Sequence, residues 1–530
     1  MTDTTINRPR HAWSIPGWDS EKASNNPSAQ EVWCYTDKPA YREGETLELF
    51  IHSTAATLEL EVIRDGSSPE TVLSRRLEGD FKQVTPADAY AKGCNWTRAT
   101  TLDIDADWRP GFYLIVLRAS FAGTVRETEH YFVVRASRSR NRAVMLLTTS
   151  TLMAYNDWGG GNSYRGSLED DGPSAELSLH RPLGRGFLRK PEGAPRNAHS
   201  FTPPPGWTPS HEVYEWALAN GYSRHHADAF WATYERPFVV WAEENGYAFD
   251  YLTQWDLHFD PASLEGYRCV VIVGHDEYWT WEMRDVLDAY LEQGGNLARF
   301  AGNFIWQVRL SDNGDTQVCY KDPRFDPLRE TRPERLTTLW EHPQIRRPGA
   351  ATMGLTGIAG CYNRYGTTTP RSTGGFTVYR PAHWAFAGTD LYYGDVFGAV
   401  PICIAAFELD GVEYGFRKGL PYATGEDGAP ESLEILAMTP AVIGADDKWA
   451  GQVPLGAPAW EVTDLLQAVF GDDPPDYIKD KQYGSGMIAT FRKGDGEVFN
   501  AGTCEWVNGL IHRDFFTECI TRNVLNRFLV

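Results

Sequence analysis

The sequence predicts an all-β front part followed by a doubly wound α/β domain, and three observations predict it. Residues from Val32 to about Arg135 read as short strands and turns. Beyond the polar linker Ser137 to Arg142, apolar runs alternate with helical patterns of about ten residues. Polar side chains collect where those runs end. At 530 residues the chain exceeds one compact core, so more than one unit is expected. The division read here is an N-terminal extension over 1–30, a β-sandwich of immunoglobulin-like or lectin-like type over 31–138, and an α/β domain over 143–530.

The elements follow in order. Thr57 to Val62 alternates Leu58, Leu60 and Val62 with Glu59 and Glu61, the pattern of a half-buried strand. Phe112 to Ala119 and His130 to Ala136 are further strands of the sandwich. A sandwich by itself implies no function. Ala143 to Ser150 reads as the first buried strand of the second unit. A long insertion, about Tyr155 to Ala227, separates it from the helix that ends at Gly246, and a loop of that length is usually functional or disordered. Tyr247 to Thr253 is the second strand. Cys269 to Val273 is the third, β-branched and covered on both faces. Met283, Val286, Leu287, Tyr290 and Leu291 then recur at helical spacing, and Asn296 to Asn303 is the fourth strand. Residues 310–530 are harder to read, although Gly496 to Trp506 looks like a late buried strand with a polar end.

In open α/β sheets, ligands bind beyond the carboxyl ends of the strands. The first strand is followed by Tyr155, Asn156, Asp157 and Tyr164, the second by Asp256 and His258. The third opens onto Gly274, His275, Asp276 and Glu277, and the fourth ends at Asn303. The topological rule gathers the first, third and fourth ends at one crevice. His275 and Glu277 project to the same side of an extended segment and suit proton transfer or metal ligation. A capped turn with a solvated glutamate explains them equally well. Tyrosine, glutamate, aspartate and asparagine are hard oxygen donors, which suit ferric iron better than a thiolate-seeking metal. The plainer account of Tyr155 and Tyr164 is that they are aromatic walls.

Several chemistries are disfavoured. The turn after the third strand holds no Ser or Cys, so a nucleophile elbow is absent there. Gly159, Gly160 and Gly161 come too late for a dinucleotide fingerprint, and there is no Walker A, H-E-x-x-H or EF-hand sequence. The eight cysteines are scattered, which argues for buried reduced thiols and against a cysteine-based zinc site. A net charge of −21 argues against nucleic-acid and anionic-membrane partners. No apolar run approaches a membrane span, and the first residues lack a signal-peptide core, so a cytoplasmic location is expected. Aromatic richness, 19 Trp among it, suggests walled clefts or large interfaces.

At these residues the sequence resembles the large subunit of N,N-dimethylformamidase and its relatives. The stretches that carry the resemblance are MAYNDWGGGNSY, LSLHRPLGRG, GYAFDYLTQWDLHFDP, GHDEYW, MRDVLDAYLEQGGNLARFAGN and FELDG, in order from Met153 to Gly411. The resemblance implies a flavodoxin-like, glutamine-amidotransferase-like core without a cysteine nucleophile. It implies one Fe(III) per chain, held by Tyr155, Tyr164 and Glu277, with Tyr234 as the alternative second tyrosine. It further implies catalytic roles for His275, Asn303 and Glu408, and hydrolysis of a small N-substituted amide such as a formamide. A homo-oligomer with a small accessory subunit fits the same resemblance. Two other readings stand beside it: a catalytically silent, glycan-binding relative, and a metal-independent hydrolase using His275 and Glu277. Trp158, Trp279, Phe304 and Trp306 flank the candidates, as pocket walls or, more simply, as core.

Overall fold

The structure is a computed structural model that describes residues 20–164, 174–198, 212–362, 373–442, 467, 469–471, 474–479 and 483–530. Most of the expected N-terminal extension, and part of the Pro-rich stretch from Pro191 to Ser210, lie outside the described residues.

The chain is mixed α/β. Val32–Thr36, Thr46–Ser53 and Arg98–Asp103 form a three-stranded sheet. Ala40–Arg42, Thr57–Arg64, Glu70–Glu78, Gly111–Phe121 and Thr124–Arg135 form a five-stranded one. The two sheets bury one shared cluster: Cys34, Leu49 and Ile51 from the first meet Leu58, Leu60, Val62, Ile115 and Phe132 from the second. The alternation of Leu58, Leu60 and Val62 therefore marks an inward face, with Glu59 pointing out.

An eleven-stranded sheet dominates the rest. Its parallel part runs Phe249–Thr253, Ala143–Leu147, Cys269–His275, Asn296–Gly302 and Gly496–Asn500, which in chain order is second, first, third, fourth, fifth. The order reverses between the first and third strands, and that is where such sheets open a crevice. Alternate residues of these strands feed two cores. Val271 and Val273 join a cluster with the helices Glu235–Glu244 and Phe515–Phe528 on one face. Val270 and Ile272 meet the helix Trp281–Glu292 on the other. Covering both faces is what lets the strands be apolar throughout. Thr280 caps the second of these faces' helix by accepting from the Met283 N–H at 3.2 Å. Gly246, at φ 84°, turns the chain after the helix that ends at Glu244.

Two expectations change. The first strand stops at Leu147, and Thr149–Tyr155 is a short helix rather than strand followed by loop. Its Thr and Ser residues favour strand by composition, but they are buried, and Ser150 N–H donates to the Gln254 side chain. Tertiary contacts override a weak local preference. The third strand also runs through Gly274 to His275 rather than ending at Val273. The region after residue 310, hard to read from the sequence, extends the main sheet. Tyr483–Lys493, Glu434–Val442, Cys361–Tyr362 and Glu408–Gly411 continue the main sheet in antiparallel fashion from the fifth strand. This pairing carries Glu408 back beside the fourth strand.

Arg299 fastens that junction. It lies on the fourth strand with no exposed surface and pairs with Asp276, just past the third strand, and Asp410 from the returning strand. Asp276, adjacent to two candidate site residues, is thus committed to structure.

Candidate metal centre

Tyr155 ends the short helix after the first strand, and Tyr164 follows nine residues later through a turn pinned by Asn162. Glu277 stands two residues beyond the third strand. The structure brings these three together. The Tyr164 hydroxyl lies 2.8 Å from the Tyr155 hydroxyl and 3.0 Å from each carboxylate oxygen of Glu277. Tyr278 adds a third phenol, its hydroxyl 2.9 Å from that of Tyr164. Trp306 donates its indole N–H to Glu277 Oε1 at 2.7 Å and so fixes the carboxylate. Lys321 Nζ sits 3.5 Å from the centre of the Tyr164 ring.

One phenol proton cannot serve three acceptors at once, so Tyr164 sits among more oxygen lone pairs than its hydrogen can satisfy. Burial pushes the hydroxyls of Tyr155, Tyr164 and Tyr278 well above the ordinary phenol range, and the Glu277 charge adds to the effect. Burial likewise raises Glu277. Phenol and carboxylate oxygens packed this closely form a donor set that suits a hard cation, of charge high enough to displace the phenol protons.

His275 closes the other side. Its Nδ1 donates to the Asp228 carbonyl at 2.7 Å, because a carbonyl can only accept. This turns Nε2 toward Glu408 Oε2 at 2.7 Å and Glu277 Oε2 at 3.3 Å. Burial alone would lower the imidazole, but the Glu408 charge and hydrogen bond, with Glu277, outweigh it and hold His275 at about 10. Asn303 donates to Glu408 Oε2 at 2.8 Å, with its Nδ2 3.2 Å from His275 Nε2. Asn303 and Phe407, the residue before Glu408, both hold positive φ, 64° and 63°. Left-handed backbone at two non-glycine residues of one site is the kind of strain that functional sites store.

Glycines permit this closeness. A Cβ on Gly302 would lie 2.6 Å from the Glu408 carbonyl oxygen and 2.7 Å from Cys504 N. A Cβ on Gly274, at φ 84°, would lie 2.2 Å from Cβ of Tyr234.

Tyr234 therefore packs behind the third strand, where its hydroxyl meets the Ala227 carbonyl at 3.2 Å and Glu505 at 3.3 Å. It is not among the clustered phenols. Of the flanking aromatics only Trp306 touches the candidate residues. Trp158 packs with Trp33 and Trp96, while Trp279 and Phe304 lie in the opposite-face core. The second strand's end stays apart: Asp256 caps the helix Gln254–Phe259 and pairs with Arg135, and His258 meets Thr280.

Sequence reasoning missed Tyr278, Lys321 and Cys504, and took Trp306 as a flanking aromatic without its hydrogen bond to Glu277. Tyr278 was visible in GHDEYW, but strict alternation sends it away from Glu277. The chain bends after His275, which frees it from that rule. Lys321 and Cys504 are separated in sequence from the GHDEYW turn and carry no local signal.

The model of the family described as N,N-dimethylformamidase beta subunit-like, C-terminal, matches residues 61–518. The chain belongs to this family. The N,N-dimethylformamidase beta subunit of Alcaligenes sp is 29% identical over 123 residues, and that of Paracoccus aminophilus is 28% identical over 123 residues. Each alignment covers 22% of this chain and 15% of the relative, so only a small part of those longer proteins is matched. A solved family 123 glycoside hydrolase from Clostridium perfringens aligns at 8% identity over 52% of this chain and 72% of that one, with a TM-score of 0.10, too low to bear on fold or function. Both dimethylformamidase relatives are named as beta subunits.

Proposed function

We infer that this chain is an iron-dependent amidohydrolase acting on a small N-substituted amide, such as a formamide. One observation carries the reading: three phenols and the Glu277 carboxylate converge within hydrogen-bond distance beside the His275–Glu408 pair, in a chain of the dimethylformamidase family. The second-first-third-fourth-fifth strand order supports a flavodoxin-like, glutamine-amidotransferase-like core. The two packed N-terminal sheets are read as its β-sandwich. The names of the relatives support assembly with a further subunit, and a homo-oligomer carrying a small accessory chain is the form proposed.

Tyr155, Tyr164 and Glu277 would hold Fe(III), which supplies Lewis-acid chemistry to a bound carbonyl or water. The protein's own groups do the rest. Trp306 keeps Glu277 oriented. The His275–Glu408 pair shares a proton across 2.7 Å, takes one from the attacking water, and returns one to the leaving amine. Asp228 locks the imidazole so that Nε2, not Nδ1, faces the reaction. Asn303 donates its side-chain N–H to the oxygen that gains charge, a contribution whose loss costs about 100-fold or more in rate.

Elemental analysis and a visible spectrum test this. The purified protein is expected to carry one iron and a tyrosinate-to-iron absorption band, and to hydrolyse N,N-dimethylformamide or a close analogue. Glu277→Ala is expected to lose iron, colour and activity while keeping its far-UV circular dichroism. A folded, iron-free, colourless protein would overturn the iron assignment. A second reading has its own support in the close contacts of His275 with Glu408 and Glu277. Under it the pair acts without metal, and hydrolysis that survives exhaustive chelation would favour it.

A further inference from the structure

Cys504 adds something the oxygen cluster does not use. Its Sγ, His275 Nε2 or Nδ1 and one Glu408 oxygen lie within 4.8 Å of one another, and all three residues are buried. The corner that holds them is framework rather than loop. Cys504 N–H donates to the Glu408 carbonyl at 3.2 Å, Thr503 bridges Leu409, and Gly302 leaves room for both chains. Cys504 itself sits four residues beyond the fifth strand. Side-chain motion is therefore all that is needed to draw the three donors onto one ion.

The donor types differ in kind from those across the site. Sulfur, imidazole nitrogen and one carboxylate oxygen suit a borderline-soft divalent cation, above all zinc, with the fourth tetrahedral position left to water. Phenols and Glu277 suit a hard cation instead. Scattered cysteines argue against a site built of thiols, but here one thiol joins two residues already brought together for another purpose.

We propose that His275, Glu408 and Cys504 form a zinc site that abuts the oxygen-rich centre and switches the enzyme off when filled. Zinc there displaces the proton of the Cys504 thiol and the one shared by His275 Nε2 and Glu408, both released to solvent, and occupies the nitrogen and carboxylate oxygen that would move protons during hydrolysis. The inhibitory half rests on the function proposed above. The binding half does not.

Zinc titration of the full-length protein, with a competing chelator, tests the binding half. One zinc per chain is expected, and Cys504→Ser is expected to bind it at least about 100-fold more weakly, since even loss of a ligand's supporting partner can cost 100-fold. Cobalt(II) in place of zinc should give a thiolate-to-cobalt band near the ultraviolet edge in the parent and none in Cys504→Ser. That signal needs no activity and is read on the parent, so a misfolded variant cannot mimic it. In the hydrolysis assay zinc should inhibit the parent, while whatever activity Cys504→Ser retains should be insensitive at the same concentration. Equal zinc affinity in parent and variant, or no cobalt–thiolate band, would overturn the site. Inhibition that tracks loss of iron from the protein, and is the same in Cys504→Ser, would overturn the inhibitory role. An inactive protein that still shows the cobalt band would keep the site and sink only the hydrolase reading.

Discussion

Tyr164 is the residue at which the site's contacts meet. Its hydroxyl lies within 3.0 Å of Tyr155, Tyr278 and both Glu277 oxygens, and Lys321 covers its ring. Tyr278 then matters because it can donate to an ionised Tyr164 without itself being a ligand in the proposed set. A hydrogen bond to a tyrosinate lowers its electron-donating power, as outer contacts of metal sites generally tune the inner ones. Tyr278→Phe is therefore expected to keep iron but move the tyrosinate band to longer wavelength. An unchanged spectrum, measured on the iron-loaded variant, would show that Tyr278 only fills space.

At the scale of elements, the first turn of the helix Glu235–Glu244 carries an unusual burden. Glu235 has no exposed surface. Its Oε1 accepts from the Thr148 hydroxyl at 2.6 Å, and its Oε2 has no hydrogen-bond partner among the described residues. Burial raises its carboxyl from 4.5 to about 7, with the Thr148 contacts opposing the shift. An acid whose folded pKa is raised costs stability once it must ionise. That cost is absent below pH 4.5, grows as pH rises from 4.5 to 7, and is complete above 7. Replacing it with a neutral amide removes the dependence. Glu235→Gln is expected to gain on the parent by about 2–3 kcal/mol between pH 4.5 and 8, at about 1.4 kcal/mol per pKa unit. Denaturant unfolding at both pH values checks it, and a stability difference that is constant with pH would refute it.

At the scale of the whole molecule, the N-terminal sheets and the main sheet are not separately cored. Phe112, Leu114, Val116, Tyr131 and Val133 share a cluster with Phe230, Trp231 and the parallel strands. Phe112 stacks on Trp231 at 3.8 Å, and Asp65 accepts the Trp231 indole N–H at 2.7 Å. Thermal unfolding followed by far-UV circular dichroism and by tryptophan fluorescence is expected to give one coincident transition, the mark of a single cooperative unit. Two resolved transitions would show that the front sheets fold independently. Among the described residues no helix is long and apolar enough to cross a membrane.

Up to the fourth strand, most elements and their order are legible in the sequence, because the periods of two and 3.6 and the stop signal at Gly246 are local properties. It also singled out Tyr155, His275, Glu277 and Asn303, since a strand-end rule names residues from position alone; Glu408 came only through the resemblance. Tertiary structure decided what no local pattern encodes. The bare backbone of Gly274 makes room for Tyr234 behind the sheet, while the Asn162 turn delivers Tyr164 to Glu277. Antiparallel pairing across long sequence distances returns Glu408 to the end of the fourth strand, and parallel pairing of the fifth strand with the fourth places Cys504 there. Such pairings depend on which faces are left to be buried once the parallel strands have assembled, and that choice is made by packing in three dimensions.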